Sequence, residues 1–181
     1  MIAFTICFIK KGDRILLLNR NKSSWMGMWN GVGGKLEPGE TPRESMLREI
    51  MEETGIVPER LHFKGLVTWL TESRKTGGMY TYMAELPEEF HYPTPIQTDE
   101  GILDWKELEW ILHPDNRGIV YNIPKSLEKI LFDEHCYDHT CTYQNGELVR
   151  HDSVRIEPDI ENITDANLLE ERICRDFKLV N

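Results

Sequence analysis

Residues 34–56, GKLEPGETPRESMLREIMEETGI, constrain this chain more than any other stretch of it. Thr41-Pro42-Arg43-Glu44 pairs a capping threonine with a glutamate three residues on and puts proline at the first helical position, so a helix has to begin at Pro42. Gly55 supplies the left-handed residue at which such a helix stops, which predicts helix over 42–54. Met46, Leu47, Ile50 and Met51 fall on one side at helical spacing, and that side needs a sheet to pack on. Glu49, Glu52 and Glu53, at i, i+3 and i+4, share a different face. Such like charges repel by roughly a few tenths of a kcal/mol per pair, so a helix that keeps all three is expected to hold a cation there. Hard oxygen donors select Mg²⁺ or Mn²⁺. Just before the helix, Gly31-Val32-Gly33-Gly34 lets the backbone come close to a ligand.

Hydrophobic alternation around this helix predicts strands at 2–9 and 14–18 joined by a turn at 10–13, and strands at 61–70, 79–86 and 101–105. A second helix is expected over 124–132, and Asn145-Gly146 centres a closing hairpin of 140–144 and 148–156. Strands mixed with two helices make an α/β fold whose sheet is covered on both faces. The loop 20–31 is unusually apolar for a connection; its Trp25 and Trp29 suit either the stacking of a flat base or the closing of one end of the core. His135, Cys136, His139 and Cys141 are soft-metal ligand types, but their spacing matches no zinc finger and strand neighbours face opposite ways, so zinc is not expected. Residues 166–173 read as a short amphipathic helix that packs on the domain or on a second copy in a homodimer.

A net charge of -10 argues against a grip on long nucleic acid, where lysine and arginine on phosphates dominate affinity. A small nucleotide that arrives with its own magnesium remains compatible. No apolar run approaches the roughly twenty residues of a membrane span, and the N-terminus lacks the basic start of a secretory signal. The expectation is a soluble, cytoplasmic protein of 181 residues whose four cysteines are reduced.

The segment opening at Gly34 resembles the Nudix box, G-x5-E-x7-R-E-U-x-E-E-x-G-U, where U is a bulky aliphatic residue. Gly34, Glu40, Arg48, Glu49, Ile50, Glu52, Glu53, Gly55 and Ile56 stand at its fixed positions. The resemblance implies an α/β/α sandwich with a mixed sheet over residues 1–156, followed by an acidic tail at 157–181. It also implies hydrolysis of a nucleoside diphosphate linked to another group, with the metal held by Glu49, Glu52 and Glu53 and contacted by Gly34 and Glu100. Arg48 either touches phosphate or orients a glutamate, the orienting role being favoured, and Glu40 is expected to support the ligands from outside. Glu53 or Glu100 is the expected general base, with Glu52 and Arg48 also in the catalytic group.

Residues 28–35, MWNGVGGK, resemble the corresponding run of the MutT-type 8-oxo-dGTP diphosphatases, as do Asp99-Glu100-Gly101, Trp105 and His113-Pro114-Asp115-Asn116. That likeness implies cleavage of an oxidised purine nucleoside triphosphate to the monophosphate and pyrophosphate. It places Gly33, Gly34 and Lys35 against the nucleotide and makes Asn30, Asp115 and Asn116 readers of the base edge. Asn30 equally suits a turn, and Asp115-Asn116 a loop start. His113 stands where the animal members carry tryptophan, which leaves Trp25 or Trp29 as platforms for the base. Other substrates of the family, such as ADP-ribose, a dinucleoside polyphosphate or a capped RNA end, are the alternative, as is a nucleotide-sensing module without turnover.

Overall fold

A computed structural model of the chain describes residues 2–70, 76–163, 168–169 and 171–172. One mixed sheet runs through it. Its strands are β1 (Ile2–Lys11), β2 (Arg14–Arg20), β3 (Trp29–Asn30), β4 (Leu61–Leu70), β5 (Thr76–Glu85), β6 (Ile96–Gln97), β7 (Gly101–Glu107), β8 (Cys136–Gln144) and β9 (Glu147–Ile156). Their order is β6-β7-β2-β1-β5-β4-β8-β9, with β3 paired to β2. The β1–β5 and β4–β8 pairs are parallel and the remaining pairs antiparallel.

Alternation along the central strands divides the core into two layers. Cys7 and Ile9 of β1 pack with Met46 and Ile50 of helix α1 (Pro42–Thr54) on one face. Ile6 and Phe8 pack with Ile123, Leu127 and Ile130 of α3 (Ile123–Phe132) on the other, beside the short α2 (Leu108–Leu112). The result is an α/β/α sandwich. Helix α1 begins and ends where its caps dictate: Thr41 Oγ1 accepts from the Glu44 N–H, the Glu44 side chain returns a bond to the Thr41 N–H, and Gly55 is left-handed at φ 70°. No helix among the described residues is long and apolar enough to cross a membrane.

Several edges differ from expectation for identifiable reasons. The two-residue β3 and β6 and the five-residue α2 are too short to show a period in sequence. β5 starts three residues early because Gly77, which reads as a turn, instead leaves room for the Trp69 ring across the strand pair. β8 starts at Cys136 rather than 140, since its polar run Asp138-His139-Thr140 is buried rather than looped out. The tail is tied into the domain: Pro158–Asn162 form a 3₁₀ turn, and Ile160 and Leu169 are buried in the α1-side core. Of the helix expected at 166–173, residues 168, 169, 171 and 172 are helical, and the rest lie outside the described residues.

Asp138 and His139 give the sheet a pH response. Asp138 Oδ1 accepts from Thr68 Oγ1 at 2.8 Å, while its Oδ2 has no partner among the described residues. Burial pushes the Asp138 carboxyl up to about 7 and the His139 imidazole down to about 3. A carboxyl that binds its proton more tightly when folded adds stability that is complete below about pH 4 and is lost as pH rises through about 7. The histidine works in the opposite sense, its share being present above about pH 6.5 and lost toward acid. The stability gap between Asp138→Asn and the parent is therefore expected to widen in the variant's favour by about 2 to 3 kcal/mol from pH 5 to pH 8. Urea midpoints at the two pH values check this, and a gap that stays constant refutes it.

Candidate active site

The glycine segment ahead of α1 lies alongside β1. Thr5 N–H donates to Gly34 O at 2.9 Å, Cys7 N–H to Val32 O at 2.8 Å and Leu36 N–H to Ala3 O at 3.0 Å. This wedges Gly33 and Gly34 between the strand and the helix, where Gly33 tolerates no side chain and one at Gly34 would have to move the Glu49 carboxylate. A Cβ on Gly33, at φ 147°, would land on the Thr5 carbonyl, and one on Gly34 would land on the Glu49 carboxylate.

Facing these glycines, α1 presents its acids to a cleft of about 750 Å³. Glu53 accepts from the Gly33 N–H at 2.9 Å. Burial pushes the Glu53 carboxyl up to about 8; the Gly33 bond opposes the rise, and the charges of Glu49 and Glu100 add to it. Burial also raises Glu49, against the pull of Arg48. Arg48 takes both oxygens of Glu40 with Nε and Nη2 at 2.6 and 3.0 Å, and reaches Glu49 and Glu52 with Nη1 at 2.9 and 3.1 Å. Its fork holds the Glu40 carboxyl down at about 2. The guanidinium therefore faces glutamates and the Lys35 carbonyl, in the geometry of an orienting residue.

Glu49, Glu52, Glu53, Glu100, Gly33, Gly34, Lys35, Asn30 and Trp25 all line this cleft. Among the described residues, however, no three carboxylate, imidazole or thiolate groups stand close enough to complete a metal shell by themselves. Glu49 and Glu52 are paired with Arg48, and Glu100 is paired with Lys22. The donor set fits a hard divalent cation all the same. It is all oxygen, its most buried carboxyl is pressed by burial and by like-charged neighbours that a cation would offset, and Mg²⁺ needs only one or two carboxylates when water and phosphate complete its shell.

A second cavity of about 660 Å³ adjoins the first and shares Ile6, Ser24, Trp25, Asn30, Trp69 and Met79 with it. Its walls are largely apolar, and its polar side chains, including Asn122, Ser126 and Tyr143, are neutral. Trp25 meets Tyr121 edge-on at 5.2 Å along the shared boundary.

Three residues weighed for the base end lie elsewhere, Trp29 in the core and Asp115 and Asn116 in a turn, the alternative placement the sequence offered for each. Trp29 is packed in the α3-side core under the Lys106 ammonium at 4.1 Å, and its backbone is paired with Gly118 and Val120. Asn116 closes its own turn, accepting from the Gly118 N–H and donating to the Trp110 carbonyl, both at 2.8 Å. Asp115 sits in that turn with its N–H on His113 Nδ1. None of the three lines either cavity. Arg20, Trp69, Met79 and Asn122, which the sequence did not single out, line the two cavities instead. Asn122, directly before Ile123-Pro124, carries the signal of an N-cap; it occupies that position in α3, yet its side chain makes no cap bond.

Comparison with known proteins agrees with this geometry. A family profile described as the NUDIX domain matches residues 1–123. The chain is 28% identical over 137 residues to an oxidized purine nucleoside triphosphate hydrolase of Mus musculus, covering 73% of this chain and 83% of that relative. It is 31% identical over 108 residues to the uncharacterized Nudix hydrolase YvcI of Bacillus subtilis (strain 168), covering 58% of this chain and 65% of the relative. Among solved structures, the MutT protein from Bacillus halodurans superposes with a TM-score of 0.68 at 25% identity, covering 83% of this chain and 95% of the other.

Proposed function

The chain belongs to the NUDIX family, and from that premise we propose that it hydrolyses a nucleoside triphosphate to the monophosphate and pyrophosphate, with an oxidised purine such as 8-oxo-dGTP favoured and Mg²⁺ or Mn²⁺ as the ion. The observation that carries this reading is the junction of two unlike cavities. An acidic cleft whose donor set is all oxygen, suited to a cation and phosphates, opens past Asn30, Trp25 and Trp69 into a neutral apolar cavity suited to a flat heterocycle.

In this reading Glu49, Glu52, Glu53 and Glu100, with the Gly34 carbonyl, would hold the ion. Such an ion supplies neutralising charge at the phosphate oxygens and eases deprotonation of the attacking water. Arg48 keeps Glu49 and Glu52 aimed, and Glu40 anchors Arg48 in turn. Glu53, fixed by the Gly33 N–H, is the group best placed to hold or take a proton. Arg20 and Lys35 add positive charge at the wall of the cleft, where phosphate oxygens would lie.

Base selection follows from the neutral amides. Guanine shows two acceptors, O6 and N7, on its outer edge, whereas oxidation at C8 turns N7 into an N–H donor. One amide, with one donor and one acceptor, matches the oxidised edge and mismatches the ordinary one. Asn122, which makes no helix cap and whose amide meets the Cys141 thiol, and Asn30, whose Oδ1 accepts from the Gly31 N–H at 3.0 Å, are the side chains for that task.

A panel of 8-oxo-dGTP, dGTP and ADP-ribose assayed with Mg²⁺, reading pyrophosphate against phosphate release, tests the proposal. The expected result is a kcat/KM for 8-oxo-dGTP at least about tenfold above dGTP, reduced to near parity in Asn122→Ala. If 8-oxo-dGTP is no better than the other two, the oxidised-purine assignment is dropped.

A further inference from the structure

We propose that Lys22, backed by Asn21, is a positioning residue that straps Glu100 into the acidic cleft opposite Glu53; the inference rests on the metal-dependent reading above and refines it.

β2 and β7 stop pairing at Arg20 and Gly101, and beyond that pair both chains run as loops along the rim of the cleft. Three contacts from two adjacent residues keep these loops together. The Asn21 N–H donates to the Glu100 carbonyl at 3.0 Å, the Asn21 amide donates to the Asp99 carbonyl at 3.3 Å, and the Lys22 ammonium pairs with Glu100 Oε1. The strapped turn is itself braced. Thr98 Oγ1 accepts from the N–H groups of Glu100 and Gly101, both at 3.2 Å, and the Thr98 N–H donates to Gly101 O at 2.8 Å. On the other side, Arg20 Nε donates to Ser24 O at 3.1 Å, so the segment that carries Lys22 also sets the wall formed by Ser23, Ser24 and Trp25.

A carboxylate on a surface turn ordinarily samples several rotamers. Here one oxygen of Glu100 is taken by Lys22, which restricts the direction of the other, and the group stays near enough to Glu53 for its charge to act there. The side chains of Lys22 and Glu100 are 54% and 35% exposed, so the pair adds little stability, and solvent screens the ammonium's repulsion of an incoming cation. What the pair supplies is orientation. Lys22 is thus to Glu100 what Arg48 is to Glu49, a cation outside the shell that fixes a carboxylate inside it.

The test compares the full chain with Lys22→Met, Lys22→Arg, Glu100→Gln and the Lys22→Met/Glu100→Gln double variant. Mn²⁺ binding without nucleotide is read by electron paramagnetic resonance, and the Mg²⁺ dependence of turnover is read alongside. Lys22→Met is expected to weaken Mn²⁺ binding and raise half-saturating Mg²⁺ by about tenfold, the lower end of what losing an outer partner does to a metal site. Lys22→Arg should restore most of both, and the double variant should bind Mn²⁺ no more weakly than Glu100→Gln. Melting temperatures within about 2 °C of the parent are expected for a screened pair. Multiplying losses in the double variant would place Lys22 on the substrate and overturn the strap. Tighter Mn²⁺ binding in Lys22→Met would make Lys22 a mere neutraliser, and unchanged binding in Glu100→Gln would remove Glu100 from the site; either result overturns it too. The expected Mn²⁺ pattern in a protein that cleaves no nucleotide supports the strap while sinking the functional reading.

Discussion

Glu53→Gln is expected to lower kcat with Mg²⁺ by about 10³-fold, the middle of the range for losing a positioned proton-transfer group. The Gly33 N–H that holds Glu53 Oε2 finds an acceptor equally well in the glutamine amide, so the glycine wedge and α1 stay in place. What disappears is the carboxyl in the most buried corner of the cleft, pushed up by burial and by its like-charged neighbours Glu49 and Glu100. The melting temperature should therefore move by less than about 3 °C. Steady-state kinetics and a thermal scan on the same preparation decide the matter. Full activity in the variant would remove Glu53 from the chemistry, and a large melting loss would make its role structural.

Arg48→Lys is expected to lose about 10- to 100-fold in kcat and to need more Mg²⁺ for half-saturation, although the charge is kept. Two guanidinium nitrogens grip the two Glu40 oxygens while the third reaches Glu49 and Glu52, and a single ammonium cannot reproduce that fork. Without it, Glu49 and Glu52 are free to repel each other and Glu53. Titration of turnover with Mg²⁺ checks this; a lysine variant with parental kinetics would show that charge alone suffices. Arg48→Ala should be worse, because it takes the guanidinium from both Glu40, which keeps the Glu37 N–H, and the Lys35 carbonyl.

The helix at the centre of the site was legible to the residue because its determinants are local. A threonine, a proline, a glutamate three positions on and a left-handed glycine act within a turn of the backbone they control. The wedge of Gly33 and Gly34 was legible as a need for close approach, though not what approaches: it is the Thr5 carbonyl and the Glu49 carboxylate of the chain itself. The base end of the site was not legible. Asn116 and Asn122 are both asparagines in the same connection, and nothing in the sequence says that the first closes a turn while the second faces a cavity. Trp25 and Trp29 are equally alike on paper; one lines both cavities, and the other is held in the core by β3 pairing and by Lys106.

By itself, then, the sequence determined the α/β class, the length and ends of α1 and the grouping of its acids, since these follow from torsion preferences and hydrogen bonds that close within four residues. Only the tertiary structure decided which aromatic and which amide meet the second cavity, and that Lys22 lies on Glu100. Those juxtapositions depend on sheet register between segments distant in sequence, such as β2 and β7, where a shift of one position turns every side chain to the opposite face.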